Sequence, residues 1–234
     1  MIVARTLAIA FAAGSVVTAQ TLPGVLRFDD SDRDYLIHLP SGWDGVSEVP
    51  LLVGLHGGGG SNETFAGPNR FLSAADREGF VAVFPNAVDG VWNDGRDIYP
   101  PEIASIDDVG FVAALIDQIA ASLPIDADRI YATGMSNGGM LTHRLALEMS
   151  YTPDGNRLAG FAPIVANLPL DLLPTEPSLP MHGLLTVGTL DPLMPFEGGQ
   201  VNQTRGAVLS SNNTRDVWRH RLGLNEATAT EIDF

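Results

Sequence analysis

YATGMSNGGM, residues 131–140, sets Ser136 between glycines, directly after an apolar run of β type and directly before a run of helical type. Gly134-Met135-Ser136-Asn137-Gly138 fits G-x-S-x-G, in which a tight strand-to-helix turn lifts a serine hydroxyl above the carboxyl edge of a sheet. Gly134 and Gly138 let the backbone turn sharply and let helix and strand approach; a side chain at either position would crowd the turn. Alone the pattern is weak, since it arises by chance in chains rich in glycine and serine. Its setting between a strand and a helix gives it weight against the alternative, a structural turn with an incidental serine. Ser136 is therefore a candidate nucleophile, and such a serine needs oxyanion donors, a base, and an acid that orients the base.

Outward from this turn, strand-like and helix-like runs alternate. DYLIHLP, VPLLVGLH, FVAVFPN, RIYATGM, LAGFAPIVAN and MHGLLTVGTL read as strands, and VPLLVGLH is continuous enough to lie inside a sheet covered on both faces. NRFLSAADREG, DDVGFVAALIDQIAASL, NGGMLTHRLALEM and NNTRDVWRHRLG read as helices, the second opened by Asp107 and Asp108, which complement its dipole. This alternation predicts an α/β fold: a mostly parallel sheet with helices on both faces. Sites in such sheets lie beyond the carboxyl ends of the strands. There is no internal repeat, and residues 167–180, rich in Pro and Leu, read as a surface excursion.

The other members of a hydrolytic site can be sought in order. In LHGGGGSNETF, His56 and Gly57 to Gly60 close a strand where an HGGG-type loop aims backbone N–H groups at a developing negative charge. Gly58 and Asn137, the residue after the serine, are the expected oxyanion donors. His56 precedes the serine on this strand and reads as a positioning residue. A phosphate-cradling role for these glycines fails, because no Gly-Lys-Ser/Thr follows. Asp191, in LLTVGTLDPLMPFEGG, stands just past an apolar strand and after the serine in chain order, which suits the acid; alternatively it merely starts a turn before Pro192. Only His220 follows Asp191, and its setting in TRDVWRHRLG reads as a solvated helix face rather than a loop free to reach serine and acid. His38, His143 and His182 fall in the wrong order and read as structural. No base is therefore expected among the histidines.

Composition narrows the classes. With 234 residues and 45% hydrophobic content the chain can bury one sizeable core but not two comfortable domains. Its 28 acidic residues against 13 basic ones give a net charge of -15, which argues against nucleic-acid and anionic-membrane partners. Every basic residue is Arg, so there is no Walker lysine and no Schiff-base chemistry. With 0 Cys, thiol nucleophiles and thiolate metal sites are excluded, and no metal cluster stands out; DDSDRD at 29–34 lacks the glycine and terminal glutamate of an EF-hand loop. MIVARTLAIAFAAGSVVTAQ has one Arg, an apolar run from Leu7 to Val17 and small residues suited to cleavage after Ala19. Residues 1–19 thus read as a signal peptide, and the protein as secreted. Asn62, Asn202 and Asn212 sit in N-x-Thr sequons.

LLVGLHGGGGSNETF, GFVAVFPNAVDGVWNDGR, DDVGFVAALIDQIAASLPIDADRIYATGMSNGGM, FAPIVANLP and HGLLTVGTLDPLMPFEGG together resemble the secreted polyhydroxybutyrate depolymerase and feruloyl esterase family of α/β-hydrolases, over roughly residues 34–223. The resemblance implies a serine esterase without cofactor: Ser136 as nucleophile, Asp191 as triad acid and the glycine loop at the oxyanion hole. It further implies that Trp92, in VWNDGR, and Asp108, in DDVGF, border the site as substrate-binding residues. The implied partner is an ester polymer or small ester; the motifs do not separate polyester, feruloylated xylan, acetylated sugar and synthetic esters. Such proteins continue through another strand into a GGHTWPG-like loop carrying the catalytic histidine, then a last helix, whereas this sequence reaches EIDF where that strand starts. The expectation is an esterase domain over 20–234, incomplete at its C-terminus with the last strand and helix missing, either a fragment or a natural truncation. The alternative is a truncated, non-catalytic module that binds a polymer or partner.

Overall fold

The computed structural model describes residues 17–67, 71–149, 158–172 and 181–224. Seven strands form one sheet in the order β1-β2-β4-β3-β5-β6-β7, with β1 (Gln20–Phe28), β2 (Ser31–Leu39), β3 (Val49–Leu55), β4 (Val81–Pro85), β5 (Ile125–Met135), β6 (Gly160–Ile164) and β7 (His182–Gly183). The β1–β2 and β2–β4 pairings are antiparallel and every pairing from β4 through β3, β5 and β6 to β7 is parallel. The expected α/β architecture is thus present.

The two-residue period of β3 divides the core. Leu51, Val53 and Leu55 face one way and join Phe111, Leu115 and Ile119 of α4 (Asp108–Ser122) and Leu141 and Leu145 of α5 (Asn137–Glu148). Leu52 faces the other way, with Ala82 and Phe84 of β4, under Phe65 of α1 (Asn62–Ala66) and Ala75 of α2 (Leu72–Glu78). Helices therefore cover both faces, and a strand buried on both is the reason VPLLVGL reads as unbroken apolar sequence. Fully burying each of these large side chains contributes about 1.5–3 kcal/mol before chain entropy is counted. A four-residue helix, α3 (Pro101–Ala104), precedes α4. Asp107 caps α4 by accepting the Gly110 N–H at 2.8 Å, as its place before the apolar run predicts.

Two expectations need correction. MHGLLTVGTL is not a full strand: β7 pairs with β6 only at His182 and Gly183, and a single bridge links Ile164 to Thr186. Among the described residues β7 has one neighbour, so its apolar residues gain little cover, and Leu184 and Leu190 are 61% and 93% exposed. β1 was not foreseen, because Pro23 and Gly24 interrupt its alternation. Gly24 lies flat under Tyr35, and a Cβ there would come within 2.2 Å of that ring. Asp29 and Asp30, part of the acidic run, form the two-residue turn joining β1 to β2, with φ of 45° and 58° as a type I′ hairpin requires.

Past β7, a small hairpin of β8 (Gly199–Gln200) and β9 (Ala207–Val208) leads into α6 (Ser211–Arg221). The leader expected at 1–19 and the EIDF terminus lie largely or wholly outside the described residues. Of the leader, Val17 is described: it is 7% exposed, and its backbone exchanges hydrogen bonds with Gly42 and Trp43. β1 begins at Gln20, the residue after the expected cleavage point.

Candidate active site

β5 ends at Met135 and α5 starts at Asn137, which leaves Ser136 alone to make the turn. It does so at φ 53° and ψ -117°, a conformation an L-residue holds only when its surroundings impose it. Its N–H donates to the Ile164 carbonyl at 2.9 Å, and its carbonyl accepts the Met140 N–H at 2.8 Å. The flanking glycines are required by space: a Cβ on Gly134 would stand 2.3 Å from the Gly138 carbonyl oxygen, and one on Gly138 would stand 2.4 Å from the carbonyl oxygens of both Leu55 and His56. Val165 is a second strained residue beside the turn, with φ of 51°, and its N–H is bonded to the Thr186 carbonyl.

The glycine loop packs against this turn. A Cβ on Gly57 would lie 3.7 Å from Cβ of Ser136, and one on Gly58 would lie 3.6 Å from Cβ of Asn137. Gly60 N–H closes the loop on the Gly57 carbonyl, and Gly59, at φ 75°, donates to the Gly90 carbonyl. Among the described residues the N–H groups of Gly58 and Asn137 have no acceptor in the protein. Donors left open on neighbouring backbone at the amino end of a 12-residue helix are suited to receive negative charge.

His56 holds the loop. Its Nε2 accepts the Ala87 N–H at 3.1 Å, so Nδ1 carries the proton and donates to the Gly57 carbonyl at 2.8 Å. Burial lowers its pKa, opposed by the Gly57 carbonyl and by Asp108 and Asp34, so the ring stays neutral. Trp92 tilts against it with ring centres 5.0 Å apart and donates its indole N–H to the His56 carbonyl at 2.9 Å.

Trp92 and Asp108, expected to border the site as substrate contacts, are both 0% exposed. Asp108 accepts from Arg33 at 2.8 Å and from the Asn93 N–H at 2.7 Å, fixing the segment after Trp92 to the start of α4. Their polar groups are turned inward, and they shape the site from beneath. Sequence reasoning missed the residues that follow. Asp94, 0% exposed, takes a side-on pair of bonds from Arg96; Tyr99 donates to the same carboxylate, and Asn137 Nδ2 reaches it at 2.7 Å. Asn137 also grips the Trp92 backbone, with Oδ1 accepting its N–H and Nδ2 donating to its carbonyl. The signal was the Asp-Gly-Arg run right after Trp92-Asn93, an acid and a guanidinium two residues apart.

Asp191 lies past β7, partly exposed, in a loop that turns back toward α5. Its Oδ1 accepts the N–H groups of Leu193 and Met194, both at 2.8 Å, while Oδ2 has no hydrogen-bond partner among the described residues. Met194 packs with Met140 of α5 and with Ala166, which carries this loop to the helix that Ser136 starts.

None of the 5 histidines is free at this end of the sheet. His38 is held by Thr21 and Asp76, and His143 is fully buried between Trp218 and the Ala166 carbonyl. His182 pairs with Gly160, at the start of β6, four residues down the strand from Ile164 beside the turn. His220 is exposed near the end of α6, where Leu222 touches the Gly183 position, again at the far end of the strands. Among the described residues no group of three His, Asp or Glu side chains converges as metal ligands do, and no helix is long and apolar enough to cross a membrane.

Comparison with known proteins agrees with this architecture. Curated relatives include a Nocardia uniformis subsp. tsuyamanensis protein provisionally named esterase NocK, 34% identical over 71% of this chain and 47% of its own. Feruloyl esterase B of Piromyces equi is 25% identical over 84% of this chain and 36% of its own. The chain thus spans about half or less of the length of these relatives. Among solved structures, a thermostable esterase superposes with a TM-score of 0.59 at 17% identity, covering 87% of this chain and 51% of that one, which shows a shared fold. The sequence model of the esterase PHB depolymerase family matches residues 33–154, from within the second strand to beyond the serine turn and its helix, and the chain belongs to that family.

Proposed function

We propose that the protein hydrolyses carboxylic esters through Ser136. The observation that carries this is the strained turn: Ser136 is held at φ 53° against the glycine loop, beside two backbone N–H groups that have no acceptor among the described residues. Ser136 Oγ attacks the ester carbonyl carbon and passes its proton to a base. The oxyanion rests on the N–H groups of Gly58 and Asn137 until the alcohol leaves, and water then releases the acid from the acyl-serine. Asp191, with Oδ2 open, orients the base. Trp92 and Asp108 act as positioning residues beneath the oxyanion loop. None of the 5 histidines is free at this end of the sheet, so this reading leaves the base unassigned among the described side chains. The relatives' names support polyester or plant-polysaccharide esters as substrates, and the leader-like residues 1–19 support export.

A second reading rests on the same histidines: a module that binds an ester polymer and turns nothing over. The deciding experiment is p-nitrophenyl acetate hydrolysis by the full gene product and its Ser136→Ala variant, with the intact mass reporting whether the exported chain starts at Gln20. Loss of more than about 10³-fold in kcat on substitution is expected. Equal rates for the two proteins would overturn the hydrolase reading, and polymer retention without turnover would establish the second.

A further inference from the structure

From Arg96 the structure points to a device that no part of the site described so far supplies, and we infer that this guanidinium is the strut joining the oxyanion side of the site to the loop that carries Asp191. The inference rests on the hydrolase reading above.

Arg96 is 6% exposed, and each edge of its planar group has its own partner. Nε and Nη2 hold the Asp94 carboxylate at 3.0 and 2.7 Å, and Nη2 also donates to the Tyr99 hydroxyl at 2.7 Å. Nη1 donates to the Arg205 carbonyl, 109 residues further along the chain. On the first side, Asp94 and Tyr99 receive Asn137 Nδ2 at 2.7 and 3.1 Å, so the residue that offers the oxyanion N–H is gripped by its own side chain. On the other side, Arg205 N–H donates to the Val201 carbonyl, and Asn202 N–H to the Leu193 carbonyl. Leu193 N–H in turn binds Asp191 Oδ1. One side chain therefore lies on an unbroken path of hydrogen bonds and short backbone links from Asn137 to Asp191.

The neighbourhood leaves the strut no slack. A Cβ on Gly206 would meet Arg96 Cδ at 3.0 Å, and one on Gly95, at φ 88°, would meet Leu172 at 2.4 Å. Burial opposes the charge on Arg96, but Asp94 and Tyr99 more than offset it and hold its pKa above the ordinary value. A lysine ammonium is a point donor on a flexible stem and cannot hold a side-on carboxylate, a hydroxyl and a distant carbonyl together. Arg96 touches no reacting atom in this scheme, so it is a positioning residue for the oxyanion donor and the acid at once.

The test uses the full gene product with three variants, Arg96→Lys, Tyr99→Phe and, as a control of comparable burial outside the site, Trp218→Phe. Two readouts are taken on the folded fraction, measured by near-UV circular dichroism: kcat and KM on p-nitrophenyl acetate, and inhibition by phenylboronic acid. The boron of that probe takes a serine oxygen as its fourth ligand, releases the serine proton to solvent and leaves an anionic tetrahedral centre at the oxyanion position.

The expected result is a kcat at least tenfold lower in Arg96→Lys, with KM within twofold, and boronate inhibition weakened at least tenfold. Trp218→Phe should change neither quantity per folded molecule. Should Arg96→Lys fail to fold, Tyr99→Phe carries the test, since it deletes one hydroxyl and keeps the ion pair; a loss of at least threefold in both readouts is expected. Folded Arg96 or Tyr99 variants with unaltered kcat and boronate affinity would overturn the strut. A wild-type protein whose turnover equals that of Ser136→Ala, and which does not bind the boronate, would instead overturn the hydrolase reading, and the strut with it.

Discussion

At the scale of the residue, Ser136 sets the terms. Strained backbone of this kind costs on the order of 1–3 kcal/mol and persists because the Ile164 carbonyl, the Met140 N–H and the close approach of Gly134 and Gly138 leave no alternative. Alanine at 136 keeps a Cβ and therefore keeps the strain, whereas glycine relieves it at some cost in unfolded-chain entropy. Ser136→Gly is expected to be more stable than Ser136→Ala by about 1 kcal/mol, or about 2–4 °C in melting temperature, with both inactive. Calorimetry of the two variants decides it: equal or reversed midpoints would mean that the turn stores no strain.

At the scale of the element, α6 is docked by a hydrogen bond whose contribution is expected to depend on pH. Trp218 Nε1 donates to His143 Nδ1 at 2.9 Å, and His143 Nε2 faces the Ala166 carbonyl at 3.2 Å, so the neutral ring satisfies helix, helix and strand end together. Phe161 packs on the same indole with ring centres 4.2 Å apart. Complete burial pushes the His143 pKa down to about 4. A second proton would have to sit on Nδ1, where it would meet the indole N–H. Because the folded value lies below the unfolded one, the unfolded chain binds more protons between about pH 6.5 and 4. The contribution is therefore full above about pH 6.5 and lost as pH falls toward 4, on the order of 3 kcal/mol in all. Urea midpoints at pH 7.0 and 4.5 should show this loss in the wild type. His143→Leu should be less stable at pH 7.0, with Trp218 Nε1 and the Ala166 carbonyl unpartnered, yet flatter between the two values; equal slopes would remove His143 from the account. The helix itself was legible from the spacing of NNTRDVWRHRLG, but its partner was not. His143 read only as a structural histidine on another helix, because period shows which face is buried and not what the face meets.

At the scale of the whole molecule, the alternation of strands and helices was enough for the sheet and its coverage, and glycines at fixed offsets were enough for the turn that presents Ser136. What stayed hidden were pairings between distant positions: Arg96 with Arg205, Asn137 with Asp94, Arg33 with Asp108. Arg33, Asp94, Arg96, Asp108 and Asn137 look solvated in one dimension and are buried in three. The same holds for charge. Two buried pairs among the described residues, Arg33–Asp108 and Arg96–Asp94, are shielded from salt by their burial, whereas exposed pairs such as Arg77–Glu78 and Arg215–Asp216 are worth little each. What remains is a surface with a net charge of -15 and no Lys, which repels itself in the compact state. Raising monovalent salt from about 0.05 to 0.5 M shortens the screening length from roughly 14 to 4 Å and weakens that repulsion more than it weakens the few exposed pairs. The melting temperature is expected to rise by about 2–4 °C, corresponding to a gain on the order of 1 kcal/mol. Scanning fluorimetry across the salt series measures it, with Arg33→Met as the comparison. That variant leaves Asp108 buried and unpaired, and its deficit of about 3–5 kcal/mol should persist at every salt concentration. A midpoint that falls as salt is added would show that exposed ion pairs, rather than self-repulsion, govern the stability of this surface.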